Sequence, residues 1–277
     1  MIASETIFET AYAKINLALH VRARRADGYH EIETIFAFVD GGDQLEASPR
    51  DDGAIMLSMK GPFAAGLEGD DNLVLRAARA LQPFGNGMGA DICLTKNLPV
   101  AAGLGGGSAD AAAALRALLR LWDIRPMDIE LPDIALALGA DVPACLASVT
   151  LRGSGVGERL EHVDVGMSGA PVLLINPCLP CPTGPVFRGW DGVDRGALGD
   201  DPARWRNDLE APARELVPEI GEILAGLAGQ QGVTLAHMSG SGATCFALFE
   251  SAEARDRAES IIQTGRPGWW TMTGVLR

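Results

Sequence analysis

Asn97 to Arg116 reads Asn-Leu-Pro-Val-Ala-Ala-Gly-Leu-Gly-Gly-Gly-Ser-Ala-Asp-Ala-Ala-Ala-Ala-Leu-Arg. Glycines at 103, 105, 106 and 107 let the backbone take positive φ and approach a ligand with no Cβ in the way. An Ala/Leu-rich helix is expected to follow from Ser108, which suits an N-cap, with Asp110 in its first turn at the positive end of the helix dipole. A glycine loop entering a helix presents several N–H groups to one point, which is an anion site, most often for phosphate. A flexible loop ahead of an ordinary core helix is the plainer reading of the same residues. No Lys-Ser or Lys-Thr follows the glycines, so this is no Walker A loop, and the spacing is wrong for a dinucleotide fingerprint.

Further residues could act on such an anion. Lys14 and Asn16 share one face of an alternating run, about 7 Å apart along a strand. The lysine either snorkels at an edge or is held for chemistry. Asp141, in Gly139-Ala-Asp-Val-Pro143, is a local turn-former or a placed acid. Tyr29 and His30 follow the Asp27-Gly28 turn and could stack on and hydrogen-bond a planar ligand, or form a rim aromatic and a solvated imidazole. Cys178-Leu-Pro-Cys181 has redox or zinc spacing, but no second Cys or Cys/His pair completes a metal site.

The elements that must position these residues follow from periodicity. Ile7–Val21 alternates as a strand. Glu31–Val39 reads as another, with a turn at 41–46, and further strands are expected around 55–59 and 91–96. Helices are expected at 73–81, capped by Asp71 or Asn72, at 108–122 and at 132–139. Residues 145–150 read as a strand. Beyond a boundary near residue 160, a buried strand at 171–176 leads into a Pro-rich loop bearing Thr183 and Phe187. Asn207 or Asp208 caps helical material reaching toward Leu227. Met238-Ser-Gly-Ser-Gly242 is a second Gly/Ser loop feeding a strand to Phe249, then a helix at 252–264 and a closing strand at 269–275. This second half reads as α+β.

The 277 residues carry a net charge of −13, which argues against a general nucleic-acid binder. A phosphate must then be held by backbone amides and a few placed cations, and the lysines are only Lys14, Lys60 and Lys96. An odd count of five cysteines suggests a reducing compartment. The N-terminus lacks the basic start of a signal peptide, and prolines break the one long uncharged run, 165–187, so no membrane span and a cytoplasmic protein are expected.

Ala13-Lys-Ile-Asn16, Pro99–Ala109, Gly139–Pro143 and Ser239-Gly-Ser-Gly242, in that order, resemble the GHMP kinases. Asp27-Gly-Tyr-His30 and Pro182-Thr183 with Phe187 are similar to the branch whose acceptor is a cytidine diphosphate-linked methylerythritol in isoprenoid biosynthesis. The resemblance implies an α+β fold of two domains, residues 1–160 like ribosomal protein S5 domain 2 and 161–277 ferredoxin-like, with the active site between them. It implies ATP, with Mg²⁺ of unassigned protein ligand, over Pro99, Val100, Ala101, Ala102, Gly103, Leu104, Gly105, Gly106, Gly107, Ser108 and Ala109. Ala109 stands where many relatives have a second serine. Lys14 and Asp141 would flank the acceptor hydroxyl as catalytic residues, an ammonium favouring the ionised carboxylate. Tyr29 and Phe187 would sandwich cytosine while His30 bonds its edge. Asn16, Thr183, Ser239, Gly240, Ser241 and Gly242 would contact the substrate, and no protein partner is implied. Other acceptors (homoserine, mevalonate, a sugar) or a non-catalytic nucleotide sensor are the competing readings.

Overall fold

Alternation and glycine placement in the chain translate into ten strands and eight α-helices among the described residues of a computed structural model, which are 5–67, 69 and 71–277. In order they are β1 (Ile7–Arg24), β2 (His30–Arg50), β3 (Ile55–Lys60), α1 (Leu73–Leu81), β4 (Gly89–Thr95), α2 (Gly106–Leu121), α3 (Leu131–Leu138), α4 (Val142–Ala147) and β5 (Leu151–Gly155). There follow β6 (Arg159–His162), β7 (Pro171–Asn176), α5 (Thr183–Arg188), α6 (Glu210–Leu216), α7 (Glu219–Ala228), β8 (Val233–Met238), β9 (Cys245–Phe249), α8 (Ala252–Gly265) and β10 (Trp270–Val275). None of the described helices is long and apolar enough to cross a membrane.

The chain divides into two units, Met1–Ala13 with Gly42–Val100 and Gly105–Ala147, and Lys14–Gly41 with Ala101–Leu104 and Ser148–Arg277. In the first, β4 runs parallel to β3 and antiparallel to the Gln44–Arg50 end of β2. Helix α2 buries Ala109, Ala111–Leu115 and Ala117–Leu119, so it is enclosed nearly all round, and small side chains let α1 and α4 pack close. Asn72 caps α1, its carboxamide accepting the Val74 N–H at 2.9 Å.

In the second unit the Ile32–Phe36 part of β2 pairs antiparallel with β5, which pairs with β6. A separate antiparallel sheet has the order β10-β7-β9-β8. With α7 before β8 and α8 before β10, this is the β-α-β-β-α-β ferredoxin-like arrangement. Central β7 and β9 are buried almost throughout. The helices α7 (Ile220, Ile223, Leu227) and α8 (Ala254, Ala258, Ile262) each cover the sheet with one apolar stripe. Burying each large aliphatic side chain is worth about 1.5–3 kcal/mol.

Several expectations are corrected. No turn occurs at 41–46; β2 runs straight through, and Gly42 is there because a Cβ would lie 2.0 Å from the Ala11 carbonyl oxygen of neighbouring β1. Residues 145–150 hold no strand: α4 starts at Val142, with Pro143 in its first turn where a missing N–H costs nothing. Thr183 and Phe187 lie on a helix, α5, not in a loop. Helix α2 begins at Gly106, with Gly105 in the left-handed region (φ 63°, ψ 23°) as its N-cap, so Ser108 is the third helical residue and caps nothing. Glu210 opens α6 after Leu209; Asn207 instead accepts the Leu209 N–H at 3.0 Å in the turn before it.

Candidate active site

Chain direction at the glycine loop is set by three left-handed residues, Ala101 (φ 51°), Gly103 (φ 76°) and Gly105 (φ 63°). After them the first-turn amides of α2, at Gly106, Gly107 and Ser108, have no acceptor within the helix. These exposed or half-buried residues form a fixed patch of positive potential. Pro99 and exposed Val100 lead in, and buried Ala109 anchors the far side. Ser108 lies toward the α3–α4 connection: a methyl group placed on Gly139 would sit 4.0 Å from its hydroxyl oxygen. Asp141, half-buried, stands immediately ahead of α4 and its carbonyl accepts the Cys145 N–H at 3.0 Å.

The second unit gathers the other residues. Lys14 is only 4% exposed, not snorkelling at an edge. Its ammonium donates to Asn16 Oδ1 at 3.1 Å and lies 4.9 Å from the centre of the Phe36 ring, a cation–π distance. Asn16 Nδ2 in turn donates to Thr34 Oγ1 at 2.8 Å, and that hydroxyl donates to the Ala18 carbonyl. Each lost degree of side-chain freedom here is already spent before a ligand arrives.

The two Gly/Ser segments are stitched to this strand. Lys14 N–H donates to the Leu104 carbonyl at 3.0 Å and Thr244 N–H to the Ala102 carbonyl at 3.2 Å. Ser239 hydroxyl donates to the Gly103 carbonyl at 2.8 Å and accepts the Asn16 N–H at 3.2 Å. Gly240 (φ 55°) and Gly242 (φ 87°) shape the turn. Buried Asn207 donates to the Met238 and Gly240 carbonyls, each at 2.8 Å. Thr183 and Ser241 hydroxyls share a hydrogen bond at 3.0 Å.

The aromatic residues separate. Phe187 packs on His30 with ring centres 5.0 Å apart, and Trp190 meets the same imidazole edge-on at 5.8 Å. Arg24 Nε donates to His30 Nε2 at 3.3 Å, which leaves the His30 proton on Nδ1. Burial, reinforced by Arg24, holds the His30 imidazole below its usual range, so it is neutral at physiological pH. Tyr29 is 64% exposed.

Sequence reading passed over one group of residues, a buried Asp43–Lys96–Asp110 cluster. Lys96 Nζ pairs with Asp43 and, at 2.6 Å, with Asp110. Asp110 thus makes an ion pair where a helix-dipole partner was expected. Burial pushes its carboxyl up to about 7, with Lys96 acting against the rise and Asp43 adding to it. The scarcity of lysines and the place of Lys96 just ahead of the loop were the available signals. Thr34, Trp190 and the carbonyl-holding role of Asn207 left none, because each depends on contacts distant in sequence, and Arg24 meets His30, six residues on, only because the chain doubles back between β1 and β2.

The family model described as the GHMP kinases N terminal domain matches residues 72–148, and that described as GHMP kinases C terminal matches 197–265. The chain belongs to the GHMP kinases. It is 55% identical, over 97% of its own length and 94% of the relative's, to a 4-diphosphocytidyl-2-C-methyl-D-erythritol kinase of Rhizorhabdus wittichii. A protein of the same name from Sphingopyxis alaskensis is 52% identical over 99% of this chain and all of that one. Among solved structures, a 4-(cytidine 5'-diphospho)-2C-methyl-D-erythritol kinase superposes with a TM-score of 0.79 at 35% identity, covering 98% of this chain and 99% of that chain. A homoserine kinase from Cytophaga hutchinsonii, at 18% identity and a TM-score of 0.70, shares the GHMP kinase fold alone.

Proposed function

We propose that this GHMP kinase transfers the γ-phosphoryl group of ATP to the 2-hydroxyl of 4-diphosphocytidyl-2-C-methyl-D-erythritol, a step in non-mevalonate isoprenoid biosynthesis in the cytoplasm. The observation that carries this is identity above 50%, spanning nearly whole chains, with relatives named for that substrate.

Phosphoryl transfer needs in-line positioning and charge stabilisation, with little covalent work for the protein. Backbone amides from Gly103 to Ser108, entered through Pro99 to Ala102, hold the phosphates, preorganised by the left-handed turns and the helix end, while the Ala109 N–H closes the first turn on the Gly105 carbonyl at 2.8 Å. Asp141 accepts the proton of the acceptor hydroxyl or orients it. Lys14, held by Asn16 and Phe36, supplies a positive charge to the transferring group. His30, neutral and with its proton on Nδ1, bonds the cytosine edge, which is where selectivity among bases must arise. Phe187 and exposed Tyr29 offer stacking faces. Asn16, Thr183 and Ser239 to Gly242 line the acceptor.

Magnesium takes hard oxygen donors and is held by one or two protein groups together with substrate phosphates. Among the described residues no set of three His, Cys, Asp or Glu side chains converges to cage a metal. The Ser108 hydroxyl and Asp141 carboxylate, both hard donors within the first unit, fit that sparse mode and would hold the ion. When bound it would neutralise charge on the phosphate oxygens.

ADP release by the purified protein with separate acceptors tests the assignment. Turnover is expected with the cytidine diphosphate compound and none above background with homoserine, mevalonate or galactose. Turnover with one of those three instead moves the chain to another branch. No ADP release with any acceptor would favour a nucleotide sensor.

A further inference from the structure

The residues entering the glycine loop and those leaving it are tied to one buried ammonium. Lys96 lies between β4 and the loop, Asp110 lies in α2 beyond it, and Asp43 comes from β2. All three side chains are essentially buried, and all belong to the first unit. Lys96 Nζ donates to the Asp43 carboxylate and to Asp110 Oδ2. The other Asp43 oxygen accepts the backbone N–H groups of Asn97 and Leu98 at 2.5 and 2.8 Å. Entry is therefore fixed through Asp43 and exit through Asp110. The ammonium also rests against the first residue of α2: a Cβ on Gly106 would sit 3.6 Å from Nζ.

Stability alone does not account for this cluster. A buried ion triad is commonly no better for stability than apolar residues of the same volume. Here two carboxylates share one ammonium, and the remaining oxygen of Asp110 is buried with no hydrogen-bond partner among the described residues. What the cluster does supply is geometry: a glycine-rich segment would otherwise sample many conformations, and ordering it would cost affinity at each binding event. The ammonium also masks a carboxylate set close behind amides that face an anion.

We propose that Lys96, clasped between Asp43 and Asp110, is a positioning residue for nucleotide binding, locking the entry and exit of the glycine loop so that the α2 amides are held ready for the phosphates. This rests on the reading of the loop as the phosphate site. Asp110→Ala is the decisive variant, because it opens the exit side while leaving Lys96 and Asp43 as a compensated pair.

In Asp110→Ala the KM for ATP should rise at least about tenfold while the KM for the acceptor stays within about twofold. Amide exchange at residues 105–109 should quicken in the absence of nucleotide, with exchange in β3 unchanged. An unmoved KM for ATP in the folded variant, or an equal rise in both KM values alongside a lower Tm, overturns the clasp. Should that variant not fold, the triple variant Asp43→Asn, Lys96→Met, Asp110→Leu, which leaves no buried charge, is read by the same criteria. The phosphate-site reading has its own control in the unmutated protein, where a non-hydrolysable ATP analogue should slow exchange at 105–109. Absence of that protection overturns the phosphate reading itself, whereas protection with an unmoved KM in the variant overturns only the clasp.

Discussion

Lys14 carries its charge into the buried middle of β1, and the surrounding residues account for how it is held. Asn16, two positions on, is reached because side chains alternate along β1, and Phe36 comes up beneath the ammonium. Asp141 is the residue whose loss should act chiefly on chemistry. Asp141→Asn keeps shape and hydrogen bonding but not the negative charge, so kcat should fall at least about a hundredfold with the KM for the acceptor nearly unchanged, as steady-state kinetics would register. Phe187 belongs to recognition. It packs on His30, and a base stacked on an aromatic ring gains roughly 1–3 kcal/mol. Phe187→Ala should therefore raise the KM for the cytidine substrate by about tenfold or more, with the KM for ATP little affected. Equal changes in both would remove Phe187 from base recognition.

At the scale of elements, the second Gly/Ser segment and the glycine loop are pressed together within one unit. Gly103 has φ 76°, and a Cβ there would lie 2.3 Å from the Ser239 carbonyl oxygen. Both the conformation and the space forbid a side chain. Gly103→Ala should cost roughly 1–3 kcal/mol in strain. Denaturant unfolding should register that loss, accompanied by weaker ATP binding. A variant as stable as the parent would mean that the two segments part easily. Helix α5 illustrates another consequence of element geometry. Thr183 and Phe187, four residues apart, share a helix face, and the same short helix places one by Ser241 and the other by His30. As a loop, which the prolines suggested, it would leave that spacing undefined.

Across the whole molecule, buried and half-buried imidazoles link stability to pH. Burial holds His237 below its ordinary value of 6.5, against the opposing effect of its Leu17 carbonyl contact. His20 is lowered by burial and then by Arg206. Both have less affinity for protons folded than unfolded, so the unfolded chain binds more protons once pH drops below 6.5. Stability contributed by their neutral forms is present above that value and lost as pH falls through it. Tm should accordingly decline from pH 7 to pH 5, and His237→Gln should lessen the decline. An identical pH profile in that variant would exclude His237 as a contributor.

Short-range features of the amino-acid sequence determined the glycine loop, its helix, the alternation that puts Lys14 beside Asn16, a cap at Asp71 or Asn72 for α1 and the α+β character of the second half. Each depends on residues a few positions apart, where periodicity and backbone preference act directly. The family motifs were legible for the same reason, since each is a short local run. Only the tertiary structure decided that β2 passes unbroken through Gly41 and Gly42, because the demand for glycine at Gly42 comes from Ala11 on a neighbouring strand. It likewise decided that Asp110 faces Lys96 and Asp43, and that Asn207 holds the Ser239–Gly242 turn. Such contacts join residues 14 to 53 positions apart, and their partners are chosen by burial and by the need to satisfy every enclosed polar group.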